Sequence, residues 1–421
     1  MLNSPSRDLR TQSPLPKWFR SIATALSQPL RSARQSHIIN AFARGVNVQK
    51  SATWKRQRVA AQREKRRLNR LLVRVERAKL ALEKLSQVRA MAPMKPHFNR
   101  LGRKITRRVL TPPPVMDLDD NYLATVEFFK AARLITSTKG NHLIDLAAVK
   151  DISPAAALLL VAECDRWRER TEQKWLRAFD INNWTPSVRR RLKEMGFFEV
   201  LHTRRVPDDE VVPGEDSYVP FQTGHRNPGE PARKLRSWIE ELGPTVADRE
   251  SLYEGLVEAM TNVSQHAYPD GRERGQKRWW ISASVNAARR TMTVMVVDHG
   301  VGIARTLPRS KGWEAIRQAV PLASLKDDAH IVRAAFAKDG ENKSQTGDVY
   351  RGKGLRENIK GYVDSHNSGG QLRVITNRAS YLYSRDNEIE VEKSSAVPSP
   401  FDGTFIEWVI KDYGQEEHED H

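Results

Sequence analysis

Residues 250–267 read ESLYEGLVEAMTNVSQHA, and this stretch decides the fold of the C-terminal half of the chain. Its apolar residues recur at spacings of three and four, which predicts an amphipathic helix. Glu258, Asn262 and His266 recur every four residues and share one face of that helix. A carboxamide oxygen suits Mg²⁺, and a carboxylate one turn away can accept a proton. Taken alone, the pattern also fits a solvated polar face, so the neighbouring motifs must decide. The apolar stripe consists of Leu252, Leu256, Ala259, Met260 and Val263.

A carboxylate followed by alternating glycines comes next in the chain. Two strands rich in Val, Ile, Met and Trp are predicted over Arg278–Asn286 and Thr291–Val297. The second strand runs directly into Asp298-His299-Gly300-Val301-Gly302. A carboxylate at a strand end can hydrogen-bond the edge of a base, while the glycines let the backbone bend closely around it.

A second glycine pair opens another predicted helix. Arg351-Gly352-Lys353-Gly354-Leu355 begins a helix that we expect to run through Val363. Glycines at a helix start leave backbone N–H groups free for phosphate oxygens, and the helix dipole supports the anion. The sequence is equally compatible with a phosphate contact by Lys353 and with a solvated Lys353. Strands over Gln371–Thr376 and Gly403–Ile410 complete the predicted sheet.

The order of these motifs resembles that of the GHKL superfamily, which includes gyrase, histidine kinases and mismatch-repair ATPases. The resemblance covers residues 235–412 and rests on Glu258…Asn262, Asp298-x-Gly300-x-Gly302, Gly352-x-Gly354 and Gly403-Thr404. The helix VEAMTNVSQHAYP is most similar to that of the anti-sigma factor serine kinases. The resemblance implies an α+β sandwich that binds ATP together with Mg²⁺.

The resemblance also implies roles for individual residues. Asp298 would read the adenine amino group, Asn262 would bind Mg²⁺, and Glu258 would be the general base. The other residues implied at the ATP site are His266, Gly300, Gly302, Gly352, Lys353, Gly354 and Thr404. A packing or capping role suits His266 equally well. Residues 304–350 are the expected lid, with two helices in it.

The preceding residues, 117–205, predict a small α/β domain. Its elements are strands over His142–Leu146 and Trp175–Ile181, a helix from Pro154 to Trp167, and a helix capped by Thr185 that stops at Gly196. The stretches LIDLAAVKDISPAAALLLVAECDRW (143–167) and TPSVRRRLKEMGFFEVL (185–201) resemble the STAS domain of anti-sigma factor antagonists. Ala155 occupies the position of that family's phosphorylated serine, and Ser153 is the only hydroxyl nearby. We therefore predict that this domain is not phosphorylated.

The N-terminal segment carries the positive charge of the chain. Residues 1–110 contain 27 Lys and Arg against 4 Asp and Glu, a net charge of +23, whereas the rest of the chain has a net charge of −4. The apolar residues Leu68, Leu71, Val75, Ala78, Leu82 and Leu85 form a short heptad stripe typical of a coiled coil. We predict that residues 1–115 are a basic helical arm that binds nucleic acid or another anionic partner. Its helix either packs on its own chain or pairs with a second copy in a homodimer.

The remaining features bound the domains and the compartment. Prolines at 93, 96 and 112–114 predict linkers, residues 206–232 predict another linker, and residues 413–421 form an acidic tail. Cys164 is the only cysteine, which excludes an internal disulfide framework. The opening MLNSPSRDLR lacks the apolar core of a secretory signal, and no apolar run is long enough to span a bilayer. We therefore expect a cytosolic protein with no membrane partner.

Three functions fit these features. The first is a regulatory ATPase that depends on Mg²⁺ and switches its contacts with a regulatory protein partner through ATP binding and slow hydrolysis. The second is a serine/threonine protein kinase of the anti-sigma type. The third is a nucleic-acid-binding protein in which ATP controls dimerisation. Phosphate transfer to protein separates the second from the first, and salt-dependent duplex binding separates the third.

Overall fold

The structure is a computed structural model of a chain that divides into two compact units, residues 1–79 and 80–421. It describes residues 59–64, 66–73, 75, 76, 79, 94–98, 103–136, 142–171, 177–210, 212–225, 227–243, 248–268, 278–309, 313, 317, 321, 324–337, 354–366, 369–386 and 389–411. The described residues of the first unit are helical, as the heptad stripe predicts. Leu68 and Leu71 of that stripe are 52% and 44% exposed. Val75 is half-buried, whereas Ala78, Leu82 and Leu85 of the stripe lie outside the described residues, as do residues 413–421.

The elements of the second unit are numbered in chain order. The strands are β1 (Met94–Phe98), β2 (Lys104–Leu110), β3 (Val115–Met116), β4 (His142–Ile144), β5 (Asp151–Ile152), β6 (Arg177–Ala178), β7 (Ser217–Tyr218), β8 (Gln222–Gly224), β9 (Trp279–Asn286), β10 (Thr291–Asp298), β11 (Gly370–Asp386) and β12 (Ile389–Lys411). The α-helices are α1 (Tyr122–Thr136), α2 (Pro154–Thr171), α3 (Pro186–Glu194), α4 (Phe197–Val200), α5 (Gly229–Glu241), α6 (Arg249–Asn262), α7 (Ile303–Thr306), α8 (Asp328–Phe336) and α9 (Gly361–Asp364). π-Helical turns at Val263–Ala267 and Leu355–Lys360 continue α6 and lead into α9.

Residues 94–205 form an α/β layer. Its sheet has the strand order β1-β2-β4-β6, with β1 antiparallel to β2 and the other pairs parallel. The predicted boundary between arm and domain at residue 115 is wrong, because β1 and β2 precede it and belong to this sheet. Pro96 lies inside β1 rather than in a linker, since an edge strand tolerates a residue without an N–H.

Two local predictions in this layer are also corrected. The strand expected over Trp175–Ile181 is described only at β6, and Asp180 then adopts a left-handed φ of 53°, which starts a 3₁₀ turn. Thr185 precedes α3 but does not cap it with its side chain. Its hydroxyl instead donates to the carbonyl of Val149 at 2.6 Å, which ties the start of α3 to the loop before β5.

Residues 212–411 form a six-stranded antiparallel sheet with helices. Its order is β11-β12-β10-β9-β7, and β8 also pairs with β9. The linker predicted over residues 206–232 is therefore wrong, because β7 and β8 satisfy the outer edge of β9 and α5 begins at Gly229. Strands β11 and β12 extend well beyond their predicted ends. A bulge at Asn377 interrupts their register without ending the hairpin.

Both faces of this large sheet are covered. Trp279 and Ile281 pack with α5, α6, α8 and α9 on one face, whereas Trp280 packs with α1 and α2 of the α/β layer on the other. Every residue of β9 is consequently buried, where a sheet with one solvated face would alternate. The fold is mixed α/β, with the α/β layer, the sheet and the helices stacked in that order. Within the described ranges, no helix combines the length and apolar character needed to cross a bilayer.

Candidate functional site

Asp298 ends β10 at the centre of the candidate site. The β-branched sequence of β10 keeps the strand extended, and its register pairs Asp298 with Thr404 of β12 on one side and Trp279 of β9 on the other. The Asp298 residue is only 4% exposed. Its Oδ1 accepts a hydrogen bond from the backbone N–H of Gly300 at 2.6 Å, and Thr404 donates to the carboxylate from its hydroxyl and its backbone N–H.

The environment of Asp298 changes its acidity. Burial raises the pKa of the carboxyl group to about 6, and the hydrogen bonds from Gly300 and Thr404 offset part of that rise. A carboxylate that is buried but held only by neutral donors is suited to accept a hydrogen bond from a ligand. The amino group on the edge of a base is such a donor.

The loop after Asp298 is fixed by residues that the sequence analysis did not single out. Gly302 has a φ of +87°, and a side chain there would collide with Asn377. Asn377 itself has a positive φ and donates from Nδ2 to the Val301 carbonyl at 2.7 Å. The hydroxyl of Thr376 accepts a hydrogen bond from the Ile303 N–H at 2.9 Å. Asn tolerates a left-handed conformation better than most residues, and this was the only sequence signal for its role.

Glu258 and Asn262 form the second part of the site. Both side chains are half-buried on α6, and Nδ2 of Asn262 donates to Oε1 of Glu258 at 3.0 Å. This bond orients the amide, so that its oxygen is the atom presented away from Glu258. His266 lies beyond Asn262 in the π-helical turn and is exposed. The predicted shared face is thus realised by Glu258 and Asn262, with His266 at its solvent end.

Gly354 brings the helix that leads into α9 against α6. A Cβ on Gly354 would overlap the carboxylate of Glu258, so any larger residue there would force the Glu258 side chain to turn away or the two helices to separate. Gly352 and Lys353 lie outside the described residues. The predicted helix start is confirmed from Gly354 onward.

The end of α6 also contacts the loop after Asp298. The backbone N–H of Val301 donates to the carbonyl of Ala267 at 2.8 Å. A Cβ on Gly300 would collide with Ala267, so this contact depends on the glycine. The structure thus connects Asp298, Glu258 and Gly354 through α6 and its π-helical turn. Gly300, Gly302 and Thr404 border the same region.

No protein-family model matches the chain, and no curated protein matches it.

Proposed function

We propose that the chain binds ATP with Mg²⁺ at a GHKL-type site between α6 and the ends of β10 and β12. Binding and slow hydrolysis would switch its contacts with a regulatory protein partner. One observation carries this proposal: four motifs that are far apart in the sequence border one region. Glu258 lies against Gly354, Ala267 contacts Gly300 and Val301 after Asp298, and Asp298 pairs with Thr404.

The residues present fit the adenine end of ATP. Asp298 is buried beside two neutral donors, so an adenine amino group would complete the hydrogen bonding of its carboxylate. The Gly300 N–H and the two donors of Thr404 hold the carboxylate and fix its orientation. Gly302 leaves room for the bend in the backbone beside a flat base.

The residues also fit a Mg²⁺ ion held jointly with phosphate. Mg²⁺ in nucleotide sites takes one or two protein oxygens together with phosphate oxygens, and it neutralises charge on the phosphates. Asn262 offers a carboxamide oxygen that Glu258 orients through the amide nitrogen. Glu258 can then accept a proton from the attacking water or hydroxyl.

The environment of the α/β layer favours ATPase activity over autophosphorylation. Ser153 accepts a hydrogen bond from the Ala156 N–H at 3.3 Å, as expected for a residue that caps α2. Ala155 is 1% exposed, so the position that would carry a phosphoryl group in a STAS domain is apolar and buried. These contacts support a STAS-like layer that docks on the nucleotide domain without being modified.

The proposal is tested by incubating the full-length chain with γ-labelled ATP and Mg²⁺. We expect label in free phosphate and none in protein, and Asp298→Ala should weaken ATP binding by roughly 10- to 150-fold and lower turnover with it. The lost hydrogen bond to a charged acceptor corresponds to roughly 1.5–3 kcal/mol. Calorimetric titration that gives equal ATP affinity for wild type and Asp298→Ala would contradict the assignment. Stoichiometric label on protein, at Ser153 or on a partner, would favour the serine/threonine kinase instead.

A further inference from the structure

The α/β layer docks on the large sheet directly behind the candidate nucleotide site. Helix α2 lies between the two sheets, and every residue from Ala155 to Cys164 is buried. Its neighbours on the large sheet include Trp280, Met295 and Phe405, which share one apolar core with it. Met295 and Phe405 belong to β10 and β12, the strands that carry Asp298 and Thr404.

One guanidinium at this interface joins the two chain segments that hold Asp298. Arg133 of α1 donates to Oδ2 of Asp402 at 2.8 Å and to Nδ1 of His299 at 3.0 Å. It also pairs with the carboxylate of Glu163 on α2. His299 directly follows Asp298, and Asp402 lies two residues before Thr404. Arg133 therefore contacts both chain segments that flank the Asp298 carboxylate, one through His299 and the other through Asp402.

The surroundings of His299 favour its hydrogen bond with Arg133. Burial, with the nearby charges of Arg133 and Arg166, lowers the pKa of His299 well below its usual value. The imidazole is therefore neutral near pH 7 and accepts the hydrogen bond through Nδ1. His299 also packs against the Trp280 ring, with ring centroids 5.0 Å apart.

A second polar contact fixes α2 at the same corner of the sheet. Asp165 of α2 accepts from Nε1 of Trp280 at 2.9 Å and from the guanidinium of Arg278 at 3.0 Å. The ring that packs on His299 is thus itself held by α2. Two contacts, one made by Arg133 and one by Asp165, consequently link the α/β layer to the loop after Asp298. The position of that loop should therefore depend on how the layer is docked.

We infer that the α/β layer is a built-in regulator of the nucleotide site, and that Arg133 is the positioning residue that couples its docking to nucleotide affinity. The inference rests on the proposed function and deepens it, because it names the element that controls the site. Coupling between two sites is reciprocal, so nucleotide binding must in turn tighten the docking of α2. A regulatory partner that displaces the α/β layer would weaken ATP binding by the same route.

The test uses the full-length chain and three substitutions. Arg133→Met should weaken ATP binding about 10-fold, a typical size for coupling between sites. Arg133→Lys keeps one positive charge but not the three-way contact, and it should restore part of the affinity. Lys130→Met is the matched control: Lys130 lies on the same helix and interface, pairs with Glu127 and contacts Ser399 of β12, whereas its described contacts include neither His299 nor Asp402. We expect its ATP affinity to equal that of wild type.

Hydrogen exchange distinguishes coupling from general loss of structure. ATP should slow amide exchange in α2 of the wild type and of Lys130→Met, but not in Arg133→Met. If Arg133→Met does not fold, Asp402→Asn provides the same measurements, because the Asp402 side chain is 54% exposed and its charge can be removed without opening the core. We expect about a threefold loss of affinity in that variant.

The outcomes separate this inference from the proposed function. A wild-type chain that binds no ATP contradicts the proposed function and the inference with it. A wild-type chain that binds ATP, together with unchanged affinity in Arg133→Met or in Asp402→Asn and no ATP effect on exchange in α2, overturns the inference alone.

Discussion

Thr404 lies directly opposite Asp298 in the antiparallel register of β12 and β10, and it donates to a carboxylate that is only 4% exposed. Burial raises the pKa of Asp298 to about 6, above the ordinary value of 3.8 for an aspartate. The charged form is therefore disfavoured in the folded chain, because neutral donors only partly replace water around it. The ionised Asp298 carboxylate therefore destabilises the fold, although it is the centre of the candidate site.

The stability of the chain should depend on pH through Asp298. A carboxyl group whose pKa is raised by folding contributes stability that is present below pH 3.8 and is lost as the pH rises through about 6. Asp298→Asn cannot ionise and avoids this loss. The free energy of unfolding of Asp298→Asn, relative to wild type, should therefore rise between pH 4 and pH 7 by up to about 3 kcal/mol. Urea unfolding at several pH values measures this difference.

The change with pH in the difference between the unfolding free energies of Asp298→Asn and wild type reports the ionisation of Asp298. Any fixed cost of the amide, such as a weaker bond to Thr404 or Gly300, is the same at every pH and cancels. A difference that stays constant from pH 4 to pH 7 would show that Asp298 ionises in the folded chain as it does in the unfolded chain.

Glu258→Gln should separate nucleotide binding from turnover. The amide retains Oε1, so it can still accept the hydrogen bond from Asn262 and leave the Mg²⁺-facing oxygen in place. We expect ATP affinity close to wild type and turnover reduced by roughly 10²-fold or more, because the general base is lost. Asn262→Ala should instead weaken the ATP binding that depends on Mg²⁺. Normal turnover by Glu258→Gln with normal binding would place the base elsewhere.

Gly354→Ala should disturb the same part of the site by contact. The added Cβ would overlap the Glu258 carboxylate, so the two helices must separate or Glu258 must turn away. We expect lower turnover, measured as free phosphate released, with little change in unfolding midpoint. The control is Gly361→Ala in α9, where the nearest atom outside the local helix is the Arg356 carbonyl at 3.7 Å, an ordinary contact. Equal turnover in both variants would argue against the approach of Gly354 to Glu258.

Local patterns in the sequence predicted the central elements of the large sheet. The β-branched residues of β10 and the three-and-four spacing in α6 each identify their element, because the side chains repeat with the period of the backbone. The expected strand over Thr291–Val297 differs from β10 by one residue. These elements are strongly periodic, and their motifs lie at their ends, so the candidate site was also predictable as a group of residues.

The covering of the second sheet face was not predicted. Trp279 and Trp280 are adjacent and both fully buried, which requires apolar partners on both faces of β9. The run from Ala155 to Cys164 similarly lacks a polar face, which is typical of a helix buried on all sides. These signals indicate burial but do not identify the covering surface. The contact of Arg133 with His299 joins residues 166 positions apart, and no local spacing encodes such a pair.

The ends of the long hairpin were missed for a different reason. Asn377 follows the predicted strand, and Asn favours turns because it tolerates left-handed backbone and bonds its own backbone. Here the same property makes a bulge, and β11 continues to Asp386. An Asn ends a strand or only bends it according to whether the neighbouring strand continues to pair beyond it, and here β12 does.

The basic arm should bind an anionic polymer, and its net charge of +23 over residues 1–110 is the reason. With 27 basic and 4 acidic residues in this segment, contacts to phosphates would dominate and tolerate any duplex sequence. Affinity should therefore fall steeply with salt, by roughly 10³-fold between about 50 and 200 mM for about six contacts.

Gel-shift titrations compare the full-length chain with a chain that begins at Leu80, the boundary between the two compact units. This truncation keeps β1 and β2, which the α/β sheet needs, and it removes 19 of the 27 basic residues. The competing view is that the arm docks on an acidic protein, in which case neither chain binds duplex nucleic acid. Equal duplex binding by both chains would instead assign the contact to residues beyond the arm.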